Sequence, residues 1–210
     1  MQVAFASSPA CFTLFVPVTL ANKITLSRIL LIPVFVGFAI EYAQSIAEGM
    51  AEEGMRYIAM AVFGIASLSD ALDGWVARKF NQRSRLGVIL DPLADKLLVI
   101  SAVGTLSFAG WPVPLPLWFI IIIFAREIFS TIGAFVIKHF AGDVHIEPHW
   151  TGKVSTFLAL VTISLALLCW AAPLPWAAAL ASLFACTSGA VYTLEAARQI
   201  QAAGHGNPEH

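Results

Sequence analysis

The sequence predicts an all-α, polytopic membrane protein with six transmembrane helices and both termini in the cytoplasm. Of its 210 residues, 59% are hydrophobic and only 12% are charged, whereas soluble domains carry about 25% charged residues. The mean hydropathy of +0.81 agrees with this class. The net charge of −1 leaves no broad basic surface for nucleic acid. The three cysteines lie too far apart in the chain to indicate a disulfide framework or a zinc site.

Six apolar segments are long enough to cross a bilayer, which takes about 20 residues of helix. The predicted spans are Ile24–Tyr42, Met55–Arg78, Val88–Ala109, Leu115–Lys138, Val154–Ala171 and Leu174–Leu194. Glycines and prolines separate these spans, as expected of connectors. Residues 1–21 are predicted to be an N-terminal extension or interfacial segment, residues 22–200 a six-helix domain, and residues 201–210 a polar tail.

Lysines and arginines accumulate in the connectors predicted to face the cytoplasm. The connector after the second span contains Lys79, Arg83 and Arg85, whereas glutamates dominate the connector after the first span. An even number of spans satisfies this distribution. We therefore expect the second and fourth connectors, and both chain ends, on the cytoplasmic side.

Four of the five aspartates, Asp70, Asp73, Asp91 and Asp95, fall on one predicted helical hairpin. A carboxylate inside the membrane costs about 2.5–3.5 kcal/mol on insertion scales, so such residues are functional candidates. Asp70 and Asp73 project about 60° apart on a helix, and Asp91 and Asp95 about 40° apart, so all four can meet at one depth. Converging carboxylates repel one another unless cations neutralise them. Carboxylate oxygens suit Mg²⁺, Mn²⁺ or Ca²⁺, and paired divalent ions commonly assist attack on a phosphate.

Two structural roles are alternatives to metal binding for some of these aspartates. Asp91 can cap the third helix, because Pro92 suits the first helical position. Asp70 and Asp73 can pair with an arginine from their own or another span. Neither interpretation accounts for all four acids at these spacings.

The hairpin carries the pattern Asp-x2-Asp-Gly-x2-Ala-Arg-x8-Gly-x3-Asp-x3-Asp. Its defined positions are Asp70, Asp73, Gly74, Ala77, Arg78, Gly87, Asp91 and Asp95. This pattern resembles the signature of the CDP-alcohol phosphatidyltransferases, and the resemblance extends over residues 22–200. The flanking segments around residues 22–33, 125–127 and 152–153 are most similar to phosphatidylglycerophosphate synthases. The resemblance implies transfer of the phosphatidyl group of CDP-diacylglycerol to sn-glycerol 3-phosphate, with release of CMP, at the cytoplasmic side of a bacterial inner membrane.

The resemblance also implies roles for individual residues. Two divalent cations, Mg²⁺ or Mn²⁺, would be held by Asp70, Asp73, Asp91 and Asp95, and Asp95 would also act as the general base. The residues implied to bind CDP-diacylglycerol are Asn22, Lys23, Ile24, Thr25, Gly74, Ala77, Arg78, Ser84 and Gly87. Family members are commonly homodimers, so a homodimer is a further expectation.

Cationic residues in and beside the fourth span are candidates for binding the acceptor phosphate. An arginine within a membrane is either the partner of an acid or a receptor for an anion. Arg126 lies about 18 Å by helical rise from Lys138, near the depth of the aspartates. We predict Arg126 as the receptor and Lys153, Lys138 and Arg28 as further candidates, although Arg28 can equally mark the inner boundary of the first span.

Other acceptors and other protein classes are compatible with the sequence. The same family chemistry could use inositol phosphate, serine or phosphatidylglycerol as the acceptor. An ion-coupled transporter would often show broken helices in two repeated halves, but the aspartate motif has no second copy. A membrane prenyltransferase would carry two separate aspartate-rich motifs, whereas these acids lie on one hairpin.

Overall fold

Six α-helices make up the part of the chain that the computed structural model describes, which is residues 20–80, 87–140 and 150–205. The helices are α1 (Leu20–Ala47), α2 (Glu53–Phe80), α3 (Gly87–Phe108), α4 (Leu117–Phe140), α5 (Trp150–Leu167) and α6 (Leu174–His205). Side chains are described at residues 25–69, 93–133, 150–191 and 193–194. Within these limits the chain contains no strand, so the predicted all-α class and the number of helices are confirmed.

Helix α5 begins and ends four residues earlier than the predicted span Val154–Ala171. Its end is set by Cys169, which adopts a left-handed backbone conformation with φ 54°. The N–H of Cys169 bonds to the carbonyl of Ala166 at 2.9 Å, and the N–H of Trp170 bonds to the carbonyl of Leu165 at 3.0 Å. These paired bonds form a Schellman motif, which stops a helix irrespective of hydropathy.

The outermost helices also extend beyond the predicted spans. Helix α1 begins at Leu20, so the last two residues of the predicted N-terminal extension are helical, and residues 1–19 lie outside the described chain. Helix α6 continues to His205, so the first half of the predicted polar tail is helical. The remainder of that tail, residues 206–210, lies outside the described chain.

Three stretches of helix are long and apolar enough to cross a membrane among the residues described. They are Thr25–Ala47, Trp150–Leu167 and Leu174–Val191. Large apolar side chains lie exposed on their outer faces, including Leu30, Phe157 and Trp176. Such faces suit a lipid environment, and together these features indicate an integral membrane protein. That all six helices cross the bilayer with both chain ends in the cytoplasm stays a prediction.

The helices pack in two groups that meet along the middle of the bundle. Helix α1 lies along α2 and α3, while α6 lies along α4 and α5. Smaller contacts of α3 and α2 with α5, and of α3 with α4, join the groups. Trp111, which follows α3, donates its indole N–H to the carbonyl of Ala166 at 2.8 Å and packs against Tyr42 with ring centroids 5.0 Å apart. The α1–α3 contact is the one that places the candidate site.

Candidate active site

The contact between α1 and α3 brings a buried arginine onto the last aspartate of the motif. The guanidinium of Arg28 donates a hydrogen bond to Oδ1 of Asp95 and forms an ion pair with it. The Arg28 side chain is completely buried, whereas 41% of the Asp95 side-chain surface is exposed. Asp95 is therefore held by a fixed cation on one side and is accessible on the other. This arrangement suits a carboxylate that must meet a substrate.

The same face of α1 carries a second residue that was predicted to lie in the site. Thr25 precedes Arg28 by three residues, which is nearly one helical turn, and it is completely buried. The two residues therefore share the buried face of α1 near α3. Three other predicted CDP-diacylglycerol ligands, Asn22, Lys23 and Ile24, belong to the same helix, but their side chains lie outside those described.

For the three other predicted metal ligands, the structure describes the helix that carries each residue but not its side chain. Asp70 and Asp73 lie in the second half of α2, and Asp91 lies near the start of α3; their side chains are outside those described. Among the described side chains, no group of three or more His, Cys, Asp or Glu residues could hold a metal ion. Asp95 is the only predicted ligand within that set. A carboxylate is a hard oxygen ligand of the kind that Mg²⁺ and Mn²⁺ take, and the Asp95 side chain is 41% exposed, so its chemistry fits a divalent cation.

The remaining motif residues cluster around the connection between α2 and α3. Gly74, Ala77 and Arg78 belong to α2, and Gly87 is the first residue of α3. Ser84 lies in residues 81–86, outside the described chain. The four predicted residues of this group therefore flank the same short connection, although their side chains are not among those described.

A charged cluster joins α3 to α4 one residue away from Asp95. Lys96 Nζ lies 3.4 Å from Oε2 of Glu127 and also donates to the hydroxyl of Thr131. Arg126 forms an ion pair with the same carboxylate through Glu127 Oε1. Two cations thus share one carboxylate, and all three side chains are largely buried. The cluster carries a net charge of about +1, which favours an anion nearby.

Helix α5 contributes a hydrogen-bond acceptor to this cluster, next to a residue that was predicted to bind the acceptor phosphate. Arg126 Nη2 donates a 3.0 Å hydrogen bond to the carbonyl of Gly152. The next residue, Lys153, has an exposed side chain near the start of α5. Arg126 and Lys153 therefore come from different helices to neighbouring positions. Lys138 lies near the end of α4, and its side chain is outside those described.

Lys96 and Glu127 received no role from the sequence, although each could have been noticed. Both stand in otherwise apolar helices directly beside a charge of opposite sign, in the pairs Asp95–Lys96 and Arg126–Glu127. Adjacent residues on a helix point about 100° apart. The first pair therefore serves two different neighbours, since α3 presents Asp95 to α1 and Lys96 to α4. In the second pair, Arg126 and Glu127 bind each other and also reach α5 and α3, respectively.

Comparisons with known proteins identify the family to which the chain is similar. The sequence model of the family described as CDP-alcohol phosphatidyltransferase matches residues 18–188. The chain is 34% identical over 185 residues to a Mycobacterium tuberculosis protein named "Probable phosphatidylglycerophosphate synthase", covering 86% of this chain and 83% of the relative. It is 37% identical over 155 residues to the CDP-diacylglycerol–glycerol-3-phosphate 3-phosphatidyltransferase of Bacillus subtilis, covering 71% of this chain and 76% of the relative.

A relative whose name gives a different activity is also similar. The human protein named cardiolipin synthase (CMP-forming) is 32% identical over 178 residues, which cover 77% of this chain and 54% of the human protein. Because relatives of similar identity have names that give two different activities, the comparisons establish the shared transfer chemistry and leave the acceptor open.

Proposed function

The chain belongs to the CDP-alcohol phosphatidyltransferase family, and we propose that it transfers the phosphatidyl group of CDP-diacylglycerol to sn-glycerol 3-phosphate. The products are phosphatidylglycerophosphate and CMP. The observation that carries the proposal is the position of Asp95, which is held by buried Arg28 and is accessible from its other side. Two bacterial relatives whose names give this activity support the choice of acceptor.

Asp95 acts as the general base in this proposal. Its carboxylate takes the proton from the acceptor hydroxyl, whose oxygen attacks the phosphorus on the lipid side of the pyrophosphate. The bond from that phosphorus to the bridging oxygen breaks, and CMP leaves. The Arg28 ion pair fixes the direction of the carboxylate, which lowers the entropic cost of meeting the hydroxyl.

The donor is bound by residues at the cytoplasmic ends of the first three helices. Asp70, Asp73, Asp91 and Asp95 hold two divalent cations, Mg²⁺ or Mn²⁺. When bound, these ions neutralise the pyrophosphate and the departing phosphate. Gly74 permits close approach of the nucleotide, because it has no side chain. The other donor contacts are Asn22, Lys23, Ile24, Thr25, Ala77, Arg78, Ser84 and Gly87.

The acceptor phosphate is bound by the excess positive charge near α4 and α5. Arg126 shares the carboxylate of Glu127 with Lys96, so the cluster can take up an anion without first losing an ion pair. Guanidinium groups bind phosphate oxygens in a fixed geometry. Lys153, beside the Arg126 contact at Gly152, adds a second cation, and Lys138 a third. Arg28, the remaining candidate, orients the carboxylate of Asp95 in this proposal and does not itself bind the acceptor phosphate.

The proposal places the site at the cytoplasmic face of a bacterial inner membrane, with six spans and both chain ends in the cytoplasm. The distribution of lysine and arginine supports this orientation. Accessibility of introduced single cysteines to a membrane-impermeant maleimide tests it. A homodimer is a further part of the proposal, and light scattering of the purified protein in detergent measures it.

The acceptor assay tests the function directly. Purified protein is incubated with radiolabelled CDP-diacylglycerol and Mg²⁺, and one acceptor at a time is added. The proposal expects labelled phosphatidylglycerophosphate and stoichiometric CMP with glycerol 3-phosphate. Product with inositol phosphate or serine, and none with glycerol 3-phosphate, would overturn the choice of acceptor. No CMP release with any acceptor would reject the transferase activity and would favour the ion-coupled transporter.

A further inference from the structure

The ammonium group of Lys96 on α3 is surrounded by oxygen atoms of one turn of α4. Its Nζ lies 3.4 Å from Oε2 of Glu127, donates to the backbone carbonyl of Glu127 at 3.5 Å, and donates to the hydroxyl of Thr131. Thr131 in turn donates to the same carbonyl at 2.7 Å. An ammonium group has three N–H donors, and these three oxygens occupy them. Lys96 therefore ties α3 to α4 and is not itself available to a substrate phosphate.

Arg126, by contrast, keeps part of its guanidinium available. Nη1 pairs with Oε1 of Glu127, and Nη2 donates to the carbonyl of Gly152 at 3.0 Å. These contacts account for two of the five N–H donors of a guanidinium. The Arg126 side chain also lines an apolar groove of about 350 Å³ between α4 and α6, which is open to its surroundings. A phosphate can therefore reach donors of Arg126 that the protein does not use.

Glu127 holds the two cations with separate oxygens. Oε2 faces Lys96 on α3, and Oε1 faces Arg126 on its own helix. All three side chains are largely buried, and ion pairs in such surroundings are strong and well oriented. The position of the Arg126 guanidinium is therefore fixed relative to α3 by the length of the Glu127 side chain.

The proposed general base lies on the same stretch of α3. Asp95 directly precedes Lys96 in the chain, so the two are joined by rigid helical backbone. Lys96 pairs with Glu127, and Glu127 pairs with Arg126. A short series of fixed contacts thus connects the base to the phosphate receptor. Its length determines how far apart an acceptor's phosphate and its attacking hydroxyl must be.

We propose that Glu127, tied by Lys96, is a positioning residue that sets the spacing between Arg126 and Asp95 and so selects acceptors by the number of carbons between phosphate and attacking hydroxyl. The inference rests on the transferase site proposed above. In sn-glycerol 3-phosphate, three carbons separate the two groups. A misplacement of about 1 Å can cost about a hundredfold in rate. A fixed spacing therefore discriminates between acceptors that differ by one methylene.

A pair of acceptors that differ only in this spacing tests the inference. One is sn-glycerol 3-phosphate, and the other is 3,4-dihydroxybutyl phosphate, which has one more methylene between the phosphate and the same terminal diol. Purified full-length enzyme is given CDP-diacylglycerol and Mg²⁺, and CMP release yields kcat and KM for each acceptor. The preference is the ratio of the two kcat/KM values. The unmodified enzyme should favour glycerol 3-phosphate by about tenfold or more.

Glu127→Asp should shift this preference toward the longer acceptor. Aspartate keeps the charge but is one methylene shorter, so it draws the guanidinium of Arg126 toward the axis of α4 and away from Asp95 on α3. The preference should fall by about tenfold. The loss with glycerol 3-phosphate should lie mainly in kcat, because Arg126 still binds the phosphate.

Lys96→Met provides a second variant, because it removes the tie to α3 and leaves Glu127 paired with Arg126. The spacing is then no longer fixed, so the two acceptors should be used at more nearly equal rates, with little change in the KM for glycerol 3-phosphate. Glu53→Asp is the matched control. It shortens another glutamate that pairs with an arginine, at the start of α2, and should leave the preference unchanged.

The preference separates positioning from a merely structural role. It is a ratio of two rates from one sample, so partial misfolding lowers both rates equally and leaves it unchanged. An unchanged preference in either variant overturns the inference, as does equal use of both acceptors by the unmodified enzyme. If Glu127→Asp releases no CMP with either acceptor, Lys96→Met alone decides. Absence of CMP release from the unmodified enzyme with glycerol 3-phosphate rejects the proposed function itself.

Discussion

The guanidinium of Arg28 is completely buried and forms an ion pair with the carboxylate of Asp95, 67 residues further along the chain. The pair joins α1 to the end of the motif hairpin. Its two members differ in environment, because Asp95 keeps 41% of its side-chain surface exposed. The guanidinium of Arg28 is thus enclosed by protein, whereas the carboxylate of Asp95 is partly open to its surroundings.

Asp95→Asn should abolish CMP release while the protein still inserts and folds. Asparagine keeps an oxygen that can accept from Arg28, but it cannot take a proton at neutral pH. Radiometric CMP release measures the first effect, and the elution profile in detergent measures the second. Activity close to that of the unmodified enzyme would remove Asp95 as the base.

Asp95→Ala should destabilise the protein more than Arg28→Met does. Removing the carboxylate takes a counter-charge from a buried guanidinium, with an expected cost of about 1–3 kcal/mol. Replacing Arg28 with methionine leaves a carboxylate that is partly solvated, and methionine fills apolar space. Thermal unfolding followed by tryptophan fluorescence compares them. Equal unfolding temperatures would contradict the asymmetry.

Arg126→Ala should raise the KM for glycerol 3-phosphate more than the KM for CDP-diacylglycerol. Loss of a hydrogen bond from a charged group to the phosphate costs about 1.5–3 kcal/mol, which corresponds to about a ten- to hundredfold rise. Arg56→Ala is the matched control, because Arg56 pairs with Glu53 near the start of α2. An unchanged acceptor KM would leave Arg126 with a structural role through Gly152.

Glu127→Gln should lower the unfolding temperature more than Lys96→Met does. Glu127 is the carboxylate shared by Lys96 and Arg126, so its loss places two largely buried cations together without that counter-charge. Loss of Lys96 leaves Glu127 paired with Arg126. Glu53→Gln serves as the control, since the carboxyl side chain of Glu53 is half exposed and should contribute little. A larger effect of Lys96→Met would contradict this account.

Exhaustive dialysis against a chelator should eliminate CMP release, and Mg²⁺ or Mn²⁺ should restore it. Four carboxylates at the predicted spacings need cations to neutralise them and suit hard divalent ions. Zinc should restore less activity, because it usually takes nitrogen or sulfur ligands. Turnover that persists after chelation would reject the two-cation site.

Local patterns in the sequence account for the helices but not for all of their ends. Hydropathy over about 20 residues finds each apolar segment, and six helices follow. The end of α5 departs from the prediction, because Cys169 takes a left-handed conformation that is usually left to glycine. A hydropathy window averages over many residues and does not detect a stop made by one backbone conformation.

The sequence by itself determined the helical class, the aspartate motif and the transferase chemistry of the family, because those features depend on residue type and on spacing within one hairpin. Only the tertiary structure decided which charges meet. Helix rotation and packing direct Arg28 to Asp95 and direct Lys96 and Arg126 to Glu127. They also leave the apolar groove between α4 and α6. Contacts between residues far apart in the chain have no local period, so spacing alone does not reveal them.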